Sequence, residues 1–256
     1  MIAALGMYDR PETAAANDAL WALIRDGLRA RGMDAPEVLT RGAGAYWPAW
    51  ESPDMLLSQT CGLPFRARLH EKVTLIGTPD YGVEGCAPGY YRSVLIARRD
   101  DPRQTEAAFS GASFAYNEPL SQSGWAAVYQ HFQDLGLPLF PGVQTGGHRA
   151  SALAVAEGAA DFAAIDAVTW GLLTRHEDFA RNLRVFAQTR PTPGLPLITA
   201  QSAQAEAIFE SVAAAIANLT EGERCNLSLR GVVRIPASAY LSLASPPAPA
   251  QKPGTM

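Results

Sequence analysis

Between residues 112 and 166 one local pattern recurs: a short apolar run stops, and small polar residues open a helix-type stretch. The runs are residues 112–117, 140–144 and 161–165. Behind them come Glu118-Pro119-Leu120-Ser121-Gln122-Ser123-Gly124-Trp125, then Thr145-Gly146-Gly147-His148-Arg149-Ala150-Ser151, then Asp166. Strands alternating with helices are the mark of an open α/β sheet with crossover helices. A helix start exposes unbonded backbone N–H groups and the positive end of the helix dipole, so it suits an anion. Two such starts side by side at the strand C-termini form one pocket. The pattern predicts a pocket that holds a small oxyanionic solute and does no chemistry on it.

The chain has 256 residues. At roughly 100–200 residues per domain this suits two compact lobes. Apolar residues make up 48 %, enough for a sizeable core, and the net charge is -4. No Lys/Arg cluster stands out, which excludes a nucleic-acid surface. No stretch approaches the ~18 consecutive apolar residues of a membrane span. Residues 1–8 are apolar but lack a basic n-region, and they read as a first strand rather than a signal peptide. Taken literally, this places the chain in the cytoplasm; a chain trimmed at its mature start would look the same.

The chain then reads in order. Residues 2–8 form a strand, and 12–31 a helix with Ala16, Leu20, Leu23, Ile24 and Leu28 on one face. Gly32 closes it. Residues 37–41, 54–59 and 72–78 are further strands. A long β-type run over 90–98 opens the second βα series, with helices near 122–135, 148–157 and 167–175, closing near 184–188. A last helix spans about 203–219, and 231–235 is a terminal strand. The run at 90–98 and the proline-rich return at 189–196 look like two crossings between lobes. This gives lobe one as residues 1–92 plus 196–243 and an inserted lobe two as 93–195. Such a build puts a ligand cleft between two Rossmann-like α/β lobes. Residues 244–256, rich in Pro and Ala, read as a disordered tail.

Each site candidate has a plainer reading beside it. Ser121, Ser123 and Gly124 offer hydroxyl and backbone donors converging on an oxyanion, or simply cap a helix. Thr145, Gly146 and His148 follow the same logic: the glycines let a ligand approach the backbone, and His148 donates to an anion or merely sits at a helix start. Asp166 accepts from a protonated oxygen or an ammonium group, or caps its own helix. From lobe one come Tyr46, which follows a Gly-rich turn, and Gln59 and Thr60, which end a buried strand. Tyr8 and Asp9 are weaker candidates. Trp47 and Trp50 are assigned to the core, and Tyr116, Trp125 and Trp170 to the core or, as the alternative, to the pocket wall. No G-x-S-x-G, Walker, dinucleotide or H-E-x-x-H motif occurs. Ser121, Ser123, His148 and Asp166 do contain a Ser/His/Asp set, but spacing alone does not define a triad. Of the cysteines Cys61, Cys86 and Cys225, none has zinc-ligand spacing. They read as buried thiols, or as a bridge between Cys61 and Cys86, which both sit in turns. No metal or cofactor is expected.

At these residues the chain resembles the phosphate/phosphite/phosphonate-binding proteins of ABC importers, of the type II periplasmic-binding-protein class. The resemblance rests on residues 118–124, 145–151 and 158–166, on Pro193-Gly194-Leu195-Pro196, and in lobe one on Ser58-Gln59-Thr60-Cys61-Gly62-Leu63-Pro64 with Tyr90-Tyr91-Arg92-Ser93. It covers roughly residues 1–235. It implies a monomeric, non-catalytic solute receptor for a small anionic ligand, partnered by an ABC transporter permease in the periplasm. By motif, Ser121, Ser123 and Gly124 match the family's oxyanion-binding helix start, His148 and Asp166 its other polar contacts, and Tyr46 its lobe-one tyrosine. It also implies a Cys61–Cys86 disulfide, worth roughly 3 kcal/mol by chain entropy. Two other readings share the scaffold: an enzyme using His148 with an Asp or Ser, and a cytoplasmic metabolite sensor.

Overall fold

The structure, a computed structural model, describes residues 1–249. The described chain divides into two compact units: Met1–Tyr90 with Pro193–Ser242, and Tyr91–Thr192 with residues 243–249. The sequence reading puts these boundaries at 92/93 and 195/196. The short strands Tyr90–Tyr91 and Thr192–Pro193, at the two crossings, pair with each other.

In the first unit five strands pair in the order Ile2–Ala4, Met55–Gln59, Leu197–Thr199, Thr74–Asp80, Gly231–Val233. Ile2–Ala4 and Met55–Gln59 are parallel, while Leu197–Thr199 runs antiparallel to both its neighbours. Met55–Gln59 is buried along its whole length, as its continuous apolar run requires of a strand covered on both faces. The helix Ala14–Arg29 buries Ala16, Leu20, Trp21, Ile24 and Leu28. These meet Ile208, Val212, Ala215 and Ile216 of the helix Ala205–Asn218 in one core. Each such aliphatic side chain contributes roughly 1.5–3 kcal/mol when fully buried. Leu23, expected on the inner face, packs only at its edge, and Trp21 takes that place.

Residues 37–41 form no strand, contrary to the sequence reading. Pro36 removes one backbone donor, and the segment makes a single ladder-type bond, Thr40 N–H to the Ala3 carbonyl at 2.7 Å. Arg25 and Arg29 hold Glu37 outward instead. The short helices that escape the sequence reading include Glu221–Leu227 and Ala237–Leu241. The first opens on a capping box between Thr220 and Glu223, a T-x-x-E signal present in the sequence.

In the second unit the strand order is Pro141–Gln144, Phe114–Tyr116, Phe162–Asp166, Ser93–Arg98, Leu183–Gln188. The first three are parallel, and Ser93–Arg98 is antiparallel to both its neighbours. The long run over 90–98 is therefore two strands, broken at Arg92. Along Phe162–Asp166 the side chains alternate: Phe162 and Ala164 join an aromatic layer with Phe109, Phe114, Trp125 and Phe132, while Ala163 and Ile165 join an aliphatic one. Because the three strands run the same way, their last residues, Gln144, Tyr116 and Asp166, come to one edge of the sheet. The three helix-opening segments start there.

Residues 244–249, expected to be disordered, lie with the second unit, and the Trp125 indole N–H donates to the Pro247 carbonyl at 2.9 Å. The remainder of that expected tail, 250–256, lies outside the described residues. Among the described residues no helix is long and apolar enough to cross a membrane, and no cluster of His, Cys, Asp and Glu is disposed to hold a metal ion.

Candidate functional site

Two loop ends of the second unit are tied together by backbone bonds. The Thr145 amide donates to the Tyr116 carbonyl and the Gly146 amide to the Asn117 carbonyl, each at 2.9 Å. The Thr145 hydroxyl is 2.6 Å from Ser151 Oγ and donates to the Tyr116 and Gly147 carbonyls. Thr145 and Gly146 thus hold the loop closed, and these bonds engage the groups that the sequence reading offered to a ligand. Gly146 has φ +82°, which favours a residue without Cβ. Gly147, extended at φ -169°, precedes the helix His148–Ala156.

The Ser121 side chain caps the next helix start, accepting from the Gly124 amide at 2.9 Å. That helix begins as a wide π-helical turn, Gln122–Ala126, before continuing as Ala127–Asp134. Ser123 points elsewhere: its Oγ lies 2.9 Å from His148 Nε2. Its carbonyl accepts from the Ser93 hydroxyl at 2.8 Å, which fixes the turn against the neighbouring strand. The structure therefore brings Ser121, Ser123, Gly124 and His148 together as the sequence pattern anticipates.

Asp166 takes the capping role, the plainer of its two readings. Its Oδ1 accepts from the Val168 and Thr169 amides at 2.8 and 3.0 Å, and its Oδ2 from the Thr169 hydroxyl at 2.6 Å. It is an N-cap, and it also places a carboxylate oxygen 3.9 Å from His148 Nε2. Burial drives the His148 pKa below its ordinary value, overriding the opposing pull of Asp166, so the imidazole is neutral at pH 7. The donor in the Ser123–His148 bond is set by the imidazole tautomer, and one of the two tautomers puts the proton on Nε2, on the side of the Asp166 carboxylate. In that tautomer Ser123 Oγ accepts from His148, which leaves the serine's own proton for an outside acceptor. His148 Nδ1 is buried without a hydrogen-bond partner.

Ser123 and Asp166 both address Nε2. A catalytic triad needs the nucleophile on one ring nitrogen and the carboxylate on the other. Here both stand at one ring nitrogen, which is not the arrangement of a triad.

Asn117 was missed by the sequence reading, which took it only as the end of a strand. Its Oδ1 is buried without a partner, and a Cβ on Gly124 would meet it at 1.9 Å. The available signal was a carboxamide at the strand end next to a Ser/Gly turn. Glu118 was missed as well; burial raises its carboxyl pKa.

The first unit's candidates are mostly engaged internally. Gln59 Nε2 donates to the Tyr81 hydroxyl at 3.0 Å and to the Leu195 carbonyl at 3.4 Å. The Tyr46 hydroxyl donates to the Gly6 carbonyl at 3.1 Å. Asp9 is bound by Arg41 and Asn17, and Tyr8 packs edge-on against Tyr81. Thr60 is fully buried with its Oγ1 lacking a hydrogen-bond partner. Trp50 is core, while Trp47 is half-buried under the Arg68 guanidinium.

A family model described as the periplasmic phosphonate substrate-binding protein of ABC transporters matches residues 58–234. The chain belongs to that family. Solved structures with the same fold include PhnD1 from Prochlorococcus marinus in complex with methylphosphonate, at 15 % identity and TM-score 0.69 over 93 % of this chain and 94 % of that one. A binding-protein component of an ABC phosphonate transporter from Pseudomonas aeruginosa matches at 18 % identity and TM-score 0.60, over 88 % and 72 %. The periplasmic VFT2 domain of BvgS from Bordetella pertussis matches at 13 % identity and TM-score 0.56, over 89 % and 91 %. Among curated proteins nothing matches. The type II periplasmic-binding-protein fold expected from the motifs is the fold observed.

In this family member the neutral His148 makes stability depend on pH with a definite sign. Its folded-state pKa lies below the unfolded value, so the unfolded chain binds the extra proton. The contribution is complete above about pH 6.5, the unfolded His value, and falls as pH drops below it. Urea melts from pH 7.5 down to pH 5 should show the loss, and His148→Gln should flatten that part of the profile.

The structure carries Cys61 and Cys86 as thiols rather than as the bridge implied by the resemblance. Cys61 is buried at the start of the turn Gly62–Pro64, beside Tyr240. Cys86 is half-buried in a separate loop at the Asp80–Arg230 cavity. Alkylation of unfolded, unreduced protein should modify both; protection of the pair until reductant is added would establish the bridge.

Proposed function

We propose that this substrate-binding protein serves an importer of a small phosphorus oxyanion (phosphate, phosphite or a simple phosphonate), and that the corner formed by Ser121–Gly124, Asn117 and His148 of the second unit receives the anion. The observation that carries this reading is the Ser123–His148 pair at 2.9 Å; in the tautomer protonated on Nε2 the serine's own proton is left for the anion. Two helix starts adjoin it, and their dipoles supply the positive potential. No Lys or Arg belongs to this cluster, so donors rather than a counter-ion neutralise the guest. Asp166 acts on the ligand through His148, since its own oxygens already accept three bonds.

Calorimetry against phosphate, phosphite, methylphosphonate and 2-aminoethylphosphonate tests the reading. One of them should bind 1:1 and be recovered unchanged. Silence across the panel, or consumption of any member, would refute it. The enzyme alternative loses support from the shared Nε2. The sensor alternative draws on a solved structure described as a histidine kinase sensor domain with similarity to periplasmic binding proteins, at 14 % identity and TM-score 0.60. Cell fractionation separates the two: the importer reading expects the chain in the periplasm, as a monomer in contact with a permease.

A further inference from the structure

We propose that the surface of the second unit around Trp125 is a groove for a proline-rich segment, and that residues 243–249 of this chain fill it as a strap over the turn carrying Ser123 and Gly124.

The strap reads Leu243-Ala244-Ser245-Pro246-Pro247-Ala248-Pro249. Leu243, Pro246 and Pro249 are half-buried, and Ala244, Ser245, Pro247 and Ala248 are exposed. A burial period of three is that of a polyproline II helix, which has three residues per turn. Such a helix makes no internal hydrogen bonds, so its carbonyls are open to a donor. Here the donor is the Trp125 indole N–H, 2.9 Å from the Pro247 carbonyl. Trp125 stands between Tyr116, at 5.7 Å between ring centroids, and Tyr129, at 5.5 Å. An aromatic row with one indole donor is the usual physical means of seating a polyproline II segment, which gives up little entropy because proline has already set its backbone.

The groove continues past the segment now on it. A cavity of about 250 Å³ is lined by Leu243 and Ala244 on one side and by Gln122, Ala126, Gln130 and His131 among others on the opposite side. Trp125 is only 2 % exposed. Gln122 and Trp125 both belong to the π-helical turn of Ser123 and Gly124, so the strap bears directly on the turn assigned to the anion.

The test reads the strap without any ligand, so its outcome is independent of the oxyanion proposal. Indole N–H signals of ¹⁵N-Trp protein are recorded for the full chain and for a chain ended at Ser242, with Trp125→Phe identifying the Trp125 signal. Exchange of the Trp125 indole proton with water should be about tenfold faster in the shortened chain, the scale of one hydrogen bond, with the other indole signals unmoved. A synthetic peptide of residues 243–249 should restore protection saturably. Equal exchange in the two chains, or no protection by excess peptide, overturns the proposal. Should the shortened chain fail to fold, Pro246→Gly with Pro249→Gly in the full chain takes its place: faster Trp125 exchange is expected, and an unchanged rate overturns the strap.

Discussion

Gly124→Ala should weaken oxyanion binding by about tenfold or more and destabilise the protein by about 1–3 kcal/mol, the usual cost of overpacking. A Cβ at this position would stand 1.9 Å from Asn117 Oδ1, 2.8 Å from Asn117 Cγ and 3.1 Å from Ser121 Oγ. The Asn117 side chain is short and its Oδ1 is buried, so moving clear of the methyl group strains the loop that carries it. The Asn117 backbone carries the carbonyl which accepts the Gly146 amide, and through it the loop leading to His148. One methyl group thus displaces the corner from two sides. Calorimetry with whichever ligand the wild-type chain binds, together with a thermal melt, measures both effects. Gly171→Ala is the control: it lies inside the helix Ala167–His176 and its Cβ would meet nothing within 4 Å. There the change should stabilise by about 0.5–1 kcal/mol, because glycine is the costlier residue inside a helix. Wild-type affinity in Gly124→Ala would remove Asn117 from the site.

The largest loss of stability is expected from Phe162→Ala, about 3–5 kcal/mol by the precedent of buried aromatic truncations. Phe162 is fully buried. Its ring centroid lies 4.9 Å from that of Phe114, 5.4 Å from Phe109, 5.7 Å from Phe132 and 6.1 Å from Phe186. These rings come from separate strands and helices, so no single shift closes the void. At a few degrees per kcal/mol for a chain of this size the melting temperature should fall by about 10 °C. The same strand ends at Asp166, and Phe114 stands opposite Phe162 in the parallel pair whose other member leads to Asn117. Ligand affinity should therefore fall along with stability. A urea midpoint within about 1 kcal/mol of wild type would mean that the aromatic layer collapses around the gap.

Much of the second unit was legible because its signals are local. Each apolar run is bounded by residues that cannot continue a strand, and Ser121 and Asp166 carry the cap chemistry of the helices they open. The capping box at Thr220 was equally local and simply went unread. The strand expected over 37–41 shows the opposite case: its composition permits a strand, but only a neighbour with an open edge makes one, and Pro36 and the Glu37 ion pairs prevent it. Trp21 displacing Leu23 from the first unit's core is of the same kind, since facing residues on Ala205–Asn218 choose which side of the helix is buried.

The sequence alone determined that three strand ends would each be followed by a helix start rich in donors, because strand termination and helix capping depend on residues a few positions apart. Only the tertiary structure decided that Ser123 and Asp166 meet the same nitrogen of His148, that Thr145 and Gly146 close a loop while Asn117 faces Gly124, and that the proline-rich tail packs on Trp125. Those contacts join residues from 7 to 122 positions apart, and such pairings follow from the register of the parallel strands and the packing around them rather than from any local propensity.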